Sequence, residues 1–347
     1  MDFLSEKARQ LTPYVAGLQP REEGWIKLNT NENPYPPSPE VARALENADI
    51  ARLRLYPDDS SGGLREAIAQ NFGVGEDNVF CGNGSDEVLA LAYQAFFSGR
   101  ENVLTPDVSY GFYPVWSLMY DVGVKITPLR DDFTIDVDDY KRGNGVIIAN
   151  PNAPTSLALS GAEVEKIVRN NRDGVVLIDE AYMDFANAES AVLLTQKYEN
   201  LLVVRTFSKS HSLAGMRVGY AIGSSTLTGG LRRMKDAFNS YPLDFLAQTG
   251  ATAAIRDRDY WDGTRKRIIA TRGKTAERLH ELGYRTLDSQ ANFLFMEAKD
   301  AKGLYEHLVN RKILVRYWDK PRISGFLRVS VGTDSEMEAF IECVKRL

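Results

Sequence analysis

Short, wholly apolar runs alternate with amphipathic stretches along most of this chain, and that alternation restricts the fold more than any other feature. GVIIAN is followed by SGAEVEKIVRN, and VVLIDEAY comes before LLVVRTFSK. A run without polar interruption fits a strand covered on both faces, as in a parallel sheet between helices. The runs NVF and NVLTP, each with a helical stretch behind it (SDEVLALAYQAFF and YGFYPVWSLMYD), carry the pattern toward the N-terminus. Helix starts are marked: Ser160 and Glu163 stand at capping-box spacing, Ser38 precedes Pro39, and Ser85 precedes Asp86 and Glu87, a cap and a favourable first turn. The expected fold class is α/β, a large domain with a mainly parallel sheet covered by helices.

A length of 347 residues exceeds what one core usually organises. Residues 28–39, LNTNENPYPPSP, cannot be helical because proline removes donors and fixes φ, so they are read as an extended, docked segment. Between Leu243 and Leu282 the pattern is helical and charged, and after it NFLFME, ILVR and FLRVSV are separated by helices. A smaller α+β domain is expected there. The division is an arm at 1–27 that contributes to the small domain, a large domain at 28–245 and a small domain at 246–347.

Charge limits the partners. With 42 Lys and Arg against 47 Asp and Glu, no excess of cations is available to neutralise a nucleic-acid backbone, so any phosphate bound is a small molecule's. No stretch reaches the roughly 18 to 20 apolar residues of a membrane span, and the first residues do not read as a signal peptide. Neither Cys81 and Cys343 nor His211, His280 and His307 have ligand spacing, so no metal is expected. The cytoplasm is the expected compartment.

In parallel α/β sheets ligands sit beyond the carboxyl ends of the strands. Polar residues that directly follow buried runs are therefore the candidates: Asn152 after GVIIAN, Asp179 and Tyr182 after VVLI, Lys209 after LLVVRTFS, and residues 82–85 after NVF. Each also has a plain structural reading. Lys209 could be a surface lysine at a helix start, and Asp179 a helix cap. Gly82 and Gly84 begin a dinucleotide fingerprint, but Glu87 stands at the third glycine position. Thr206 and Lys209 have the spacing of Ser-x-x-Lys acyl enzymes, without the partner motifs those enzymes need. Tyr113 and Trp116 fit a packed helix face, and Arg316 and Arg328 could be ordinary strand-end arginines.

NPNAPT, DEAY (179–182) and TFSKSHSLAGMRVG (206–219), in that order, resemble the fold-type I pyridoxal-phosphate aminotransferases over nearly the whole chain. The resemblance implies pyridoxal 5′-phosphate as cofactor. It assigns Lys209 as the amine that condenses with the cofactor aldehyde and later moves the substrate proton, and Asp179 as the partner of the pyridine nitrogen. Tyr182 and Asn152 would bond the ring oxygen, and Tyr110 would stack on the ring. Gly84, Ser85 and Asp86 would meet the phosphate at a helix start, with Thr206, Ser208 and Arg217 completing the cup. Tyr56, in LRLYPD, would reach the phosphate from a neighbouring subunit, which makes a homodimer the expected unit, with the arm contributing to it.

LTPY, KLNTNENP, GNGSDE, ILVR and FLRVSVGT are similar to the branch of that family that takes a phosphorylated amine of histidine biosynthesis and glutamate or 2-oxoglutarate in ping-pong transamination. On that resemblance Arg328 would clamp a carboxylate, and Arg316, Arg328 and Tyr14 the substrate phosphate. Two positions depart from the pattern: Ser156 stands where glycine is usual, and His211 where a second basic residue is frequent. The same fold also serves threonine-phosphate decarboxylases, aromatic amino-acid aminotransferases and non-catalytic sensor modules of transcription regulators. No appended DNA-binding segment or basic run supports the last.

Overall fold

The computed structural model describes residues 3–345. After β1 (Ile26–Lys27) come β2 (Val79–Asn83), β3 (Val103–Pro106), β4 (Val124–Thr127), β5 (Gly145–Ala149), β6 (Val175–Asp179), β7 (Leu201–Thr206) and β8 (Val218–Gly223). These seven make one sheet in the order β2-β8-β7-β6-β5-β3-β4. β8 runs antiparallel to both neighbours and the remaining pairs are parallel. Side chains that alternate along a strand feed two cores. Val146, Ile148, Val176 and Ile178 pack on one face of the sheet, and Ile147, Ala149, Leu177, Leu202 and Val204 on the other. Full burial of a large aliphatic side chain contributes about 1.5–3 kcal/mol, so these strands are the stable base on which the loops beyond them are held.

The smaller sheet comes from β9 (Arg285–Thr286), β10 (Phe293–Glu297), β12 (Arg316–Tyr317) and β13 (Phe326–Ser330), in the antiparallel order β12-β13-β10-β9, with β11 (Ile313–Leu314) paired in parallel to β1 instead. Leu28, just past β1, shares a core with Leu294, Leu327 and Phe340. None of the described helices is long and apolar enough to cross a membrane.

VGYAIG, not among the expected runs because its two glycines weaken the β signal, is β8, buried between β2 and β7. Two local expectations change. The helix after β2 starts at Gly84, so Ser85 is not its cap but lies in its first turn, and Asn83 stands at the cap position without a side-chain cap bond. A small domain starting at 246 would cut the helix Phe245–Arg256, whose Ala247, Ala251, Ala254 and Ile255 pack in the core of the large sheet. We place the change of domain within the next helix, Arg258–Glu281, where Ile268 meets Phe185 and Val331 and Leu279 enters the core of the smaller sheet.

Candidate active site

Beyond the carboxyl ends of β5, β6 and β7 a cavity is walled by Tyr14, Ser85, Asp86, Tyr110, Asp179, Tyr182, Thr206, Ser208, Lys209, Arg217, Arg316 and Arg328. Three further candidates stand apart from its wall. Gly84 lies behind it, with φ +79°, and a Cβ there would collide with the Arg217 guanidinium. Asn152 is buried with its amide engaged: Nδ2 donates to the Val108 carbonyl at 2.9 Å and to Thr155 Oγ1 at 3.0 Å, and Oδ1 accepts from Ser109 at 2.8 Å. Tyr56 is 81% exposed and stacks on Tyr241.

Asp179 is the last residue of β6, and burial raises its carboxyl to about 6 although Tyr113 and the Ala181 N–H both donate to it. The Tyr113 hydroxyl donates to Oδ2 at 2.9 Å. Tyr113 is thus both core and site, a role its apolar helix face does not reveal, because the partner lies in β6. Lys209 Nζ donates to the Thr30 carbonyl at 3.1 Å and lies 5.7 Å from the Tyr182 ring centre.

At the other end, the first-turn N–H groups of the helix from Gly84 have no partner within the helix and face an anion favourably. Arg217 donates to Ser208 Oγ at 3.2 Å and to Asp86 Oδ2 at 3.3 Å, and the Tyr110 hydroxyl donates to Asp86 Oδ1 at 2.8 Å. Burial, with Asp86 adding to it, raises the Tyr110 phenol, so it stays a neutral donor. Hydroxyls, a guanidinium and helix N–H groups side by side fit a phosphate, and the buried acid of Asp179 fits a cationic ring nitrogen.

Arg316 and Arg328 sit directly opposite each other on β12 and β13, their guanidinium carbons 5.4 and 5.2 Å from the Trp318 ring centre. Like charges in that register repel, so an anion between them would stabilise the pair. Arg328 also donates to the Asn29 carbonyl at 2.7 Å, while Arg316 donates to the Val15 and Ala16 carbonyls at 2.8 and 3.2 Å and so holds the N-terminal arm over the cavity. Burial lowers the pKa of Arg328. His211 adds no charge at neutral pH, since burial pushes it down to about 4 beside Phe207 and Trp261.

Under the cavity floor Arg205 pairs with Glu180 and Asp184, and Ser210 donates to Asp184. This buried cluster ties β7 to the loop after β6, on either side of Lys209. Asn29, Thr30 and Asn31 also touch the site, and the asparagine-rich arm was the one trace of them in the sequence.

Residues 23–344 match the family described as aminotransferase class I and II. The chain is 48% identical to the histidinol-phosphate aminotransferase of Brachyspira hyodysenteriae over 99% of its length and 98% of that protein's. It is 51% identical to histidinol-phosphate aminotransferase 1 of Bordetella parapertussis, covering 97% of this chain and 96% of that one. In fold it matches the Sinorhizobium meliloti histidinol-phosphate aminotransferase in complex with pyridoxal-5′-phosphate, with TM-score 0.89 and 21% identity over 100% of this chain and 97% of that one.

Proposed function

Because the chain belongs to the class I and II aminotransferases, we propose that it uses pyridoxal 5′-phosphate to transfer the amino group of L-histidinol phosphate to 2-oxoglutarate, giving imidazole acetol phosphate and L-glutamate in histidine biosynthesis. The relatives that match over almost its full length carry that activity in their names. Within the site, the opposed Arg316 and Arg328 carry the reading, because they suit a substrate that is an anion in both halves of the reaction.

The cofactor would supply an aldehyde for amines and a cationic ring that accepts the electron pair left at the substrate Cα. The chain's own residues would do the rest. Ser85, Asp86, Ser208 and Arg217 hold the phosphate, Asp86 through its N–H. Asp179 keeps the ring nitrogen protonated, and Tyr182 offers its hydroxyl to the ring oxygen. Lys209, released by the incoming amine, takes the proton from Cα and returns it on the other side of the transfer. Tyr14, Ala16 and Gly17, on the arm over the cavity, limit the entry of water.

A carboxylate needs one fork of donors, which Arg328 supplies, whereas a dianionic phosphate ester gains from a second cation. Single-turnover kinetics with each amine, followed by the colour of the bound cofactor, test this. Arg316→Ala should slow histidinol phosphate about ten- to a hundredfold more than glutamate, and Arg328→Ala should damage both. Equal slowing of the two amines by Arg316→Ala would remove the main support for a phosphorylated substrate. Release of carbon dioxide would favour the decarboxylase reading instead.

A cytoplasmic homodimer completes the proposal. Leu53 and Leu55 are exposed beside Tyr56, apolar surface that suits a second copy, from which Tyr56 would reach the partner's phosphate site. The buried thiol of Cys81 suits a reducing compartment.

A further inference from the structure

Asn31, in the segment 28–39, is 1% exposed and in the left-handed region, with φ 57°. Each of its polar groups has a partner. Its N–H donates to Ser330 Oγ at 2.9 Å, the Ser330 hydroxyl donates back to its Oδ1 at 2.8 Å, and its carbonyl accepts from Asn292 Nδ2 at 3.0 Å. The Ser330 proton fixes the orientation of the amide: with Oδ1 turned to that hydroxyl, Nδ2 is turned to the Tyr182 hydroxyl, 3.1 Å away.

We propose that Asn31 is a positioning residue that donates to the Tyr182 oxygen and thereby directs the Tyr182 proton into the cavity, toward the cofactor's ring oxygen. The inference rests on the aminotransferase reading of the site. A phenol whose lone pair already accepts a hydrogen bond is the stronger donor through its own O–H, and its rotation is restricted. With its Oδ1 taken by Ser330, Asn31 donates to Tyr182 and does not accept its proton. Ser330, two residues after Arg328 on β13, makes the small sheet the support of this contact.

The test is a pH titration of the bound cofactor's visible absorbance. A donor at the ring oxygen stabilises the deprotonated form, so a weaker donor raises the midpoint. Asn31→Gly keeps the backbone conformation and deletes the amide, and should raise the midpoint by on the order of half a unit to one, the value of one hydrogen bond. With Tyr182→Phe already present, the same change should have no effect. Asn31→Asp, also tolerant of this φ, should shift the midpoint further with Tyr182 than with Phe at that position, where only its charge acts.

Equal shifts in the two backgrounds, or none, would overturn the inference while the wild type still titrates. Should Asn31→Gly not hold the cofactor, the Asn31→Asp comparison decides by itself. A wild type with no cofactor colour at all would end both the inference and the functional reading.

Discussion

Without a cation against it, Asp179 bears a cost in the folded chain. Its carboxyl is raised by burial from 3.8 to about 6. Between those values the folded state holds more protons than the unfolded state, so stability falls as pH rises through that window. Asp179→Asn in the cofactor-free protein should therefore raise Tm at pH 8 and lose that advantage as pH falls through 6 toward 4. With cofactor bound, the order at pH 8 should reverse, since an amide cannot pair with a ring cation. Thermal melts of both proteins, with and without cofactor, check it. A Tm difference that does not change with pH would mean that the carboxyl stays ionised throughout.

Much of this site was legible one residue at a time. Asp179 closes β6 and Lys209 follows β7, where the sequence placed them, and Ser156, set where glycine is usual, indeed adopts φ 65°. Tyr113 and Asn31 were not legible as site residues, because each acts through a single hydrogen bond to a group far away in sequence.

Elements depend on close approach as much as on pattern. Gly219 of β8 lies against the start of the helix from Gly84, and a Cβ there would collide with the backbone of Gly84 and Ser85. Gly219→Ala should push away the N–H groups assigned to the phosphate. Cofactor affinity should fall at least tenfold, measured by titrating the apoprotein, while Gly229→Ala, with open space around it, should leave affinity unchanged. Equal affinities would show that the helix start is not the phosphate seat. The apolar runs announced β5, β6 and β7, but β8 was hidden by its two glycines, one of which, Gly219, lets the helix approach.

At the scale of the molecule, exposed Tyr56 and its apolar neighbours make the assembly testable. Sedimentation should give a dimer. Mixing inactive Lys209→Ala with a Tyr56→Ala variant should restore activity in hybrid dimers, since one of their two sites then has both groups intact. No restoration would keep Tyr56 at its own subunit's site. Two domains were legible from length and pattern, but their border was not, because a helix's period is the same on whichever core it packs.

The parallel pairing of Ile26 and Lys27 with Ile313 and Leu314 ties the beginning of the chain to its far end. Thr30 and Asn31, which hold Lys209 and Tyr182, follow directly on that tie. During translation the large sheet can form as it leaves the ribosome, yet the lysine proposed to react waits for β11 to be made. Nascent chains stalled before residue 313 should thus remain unlabelled when cofactor and borohydride are added, and chains released at full length should be labelled. Labelling of the stalled chains would show that the site matures without its C-terminal half of the tie.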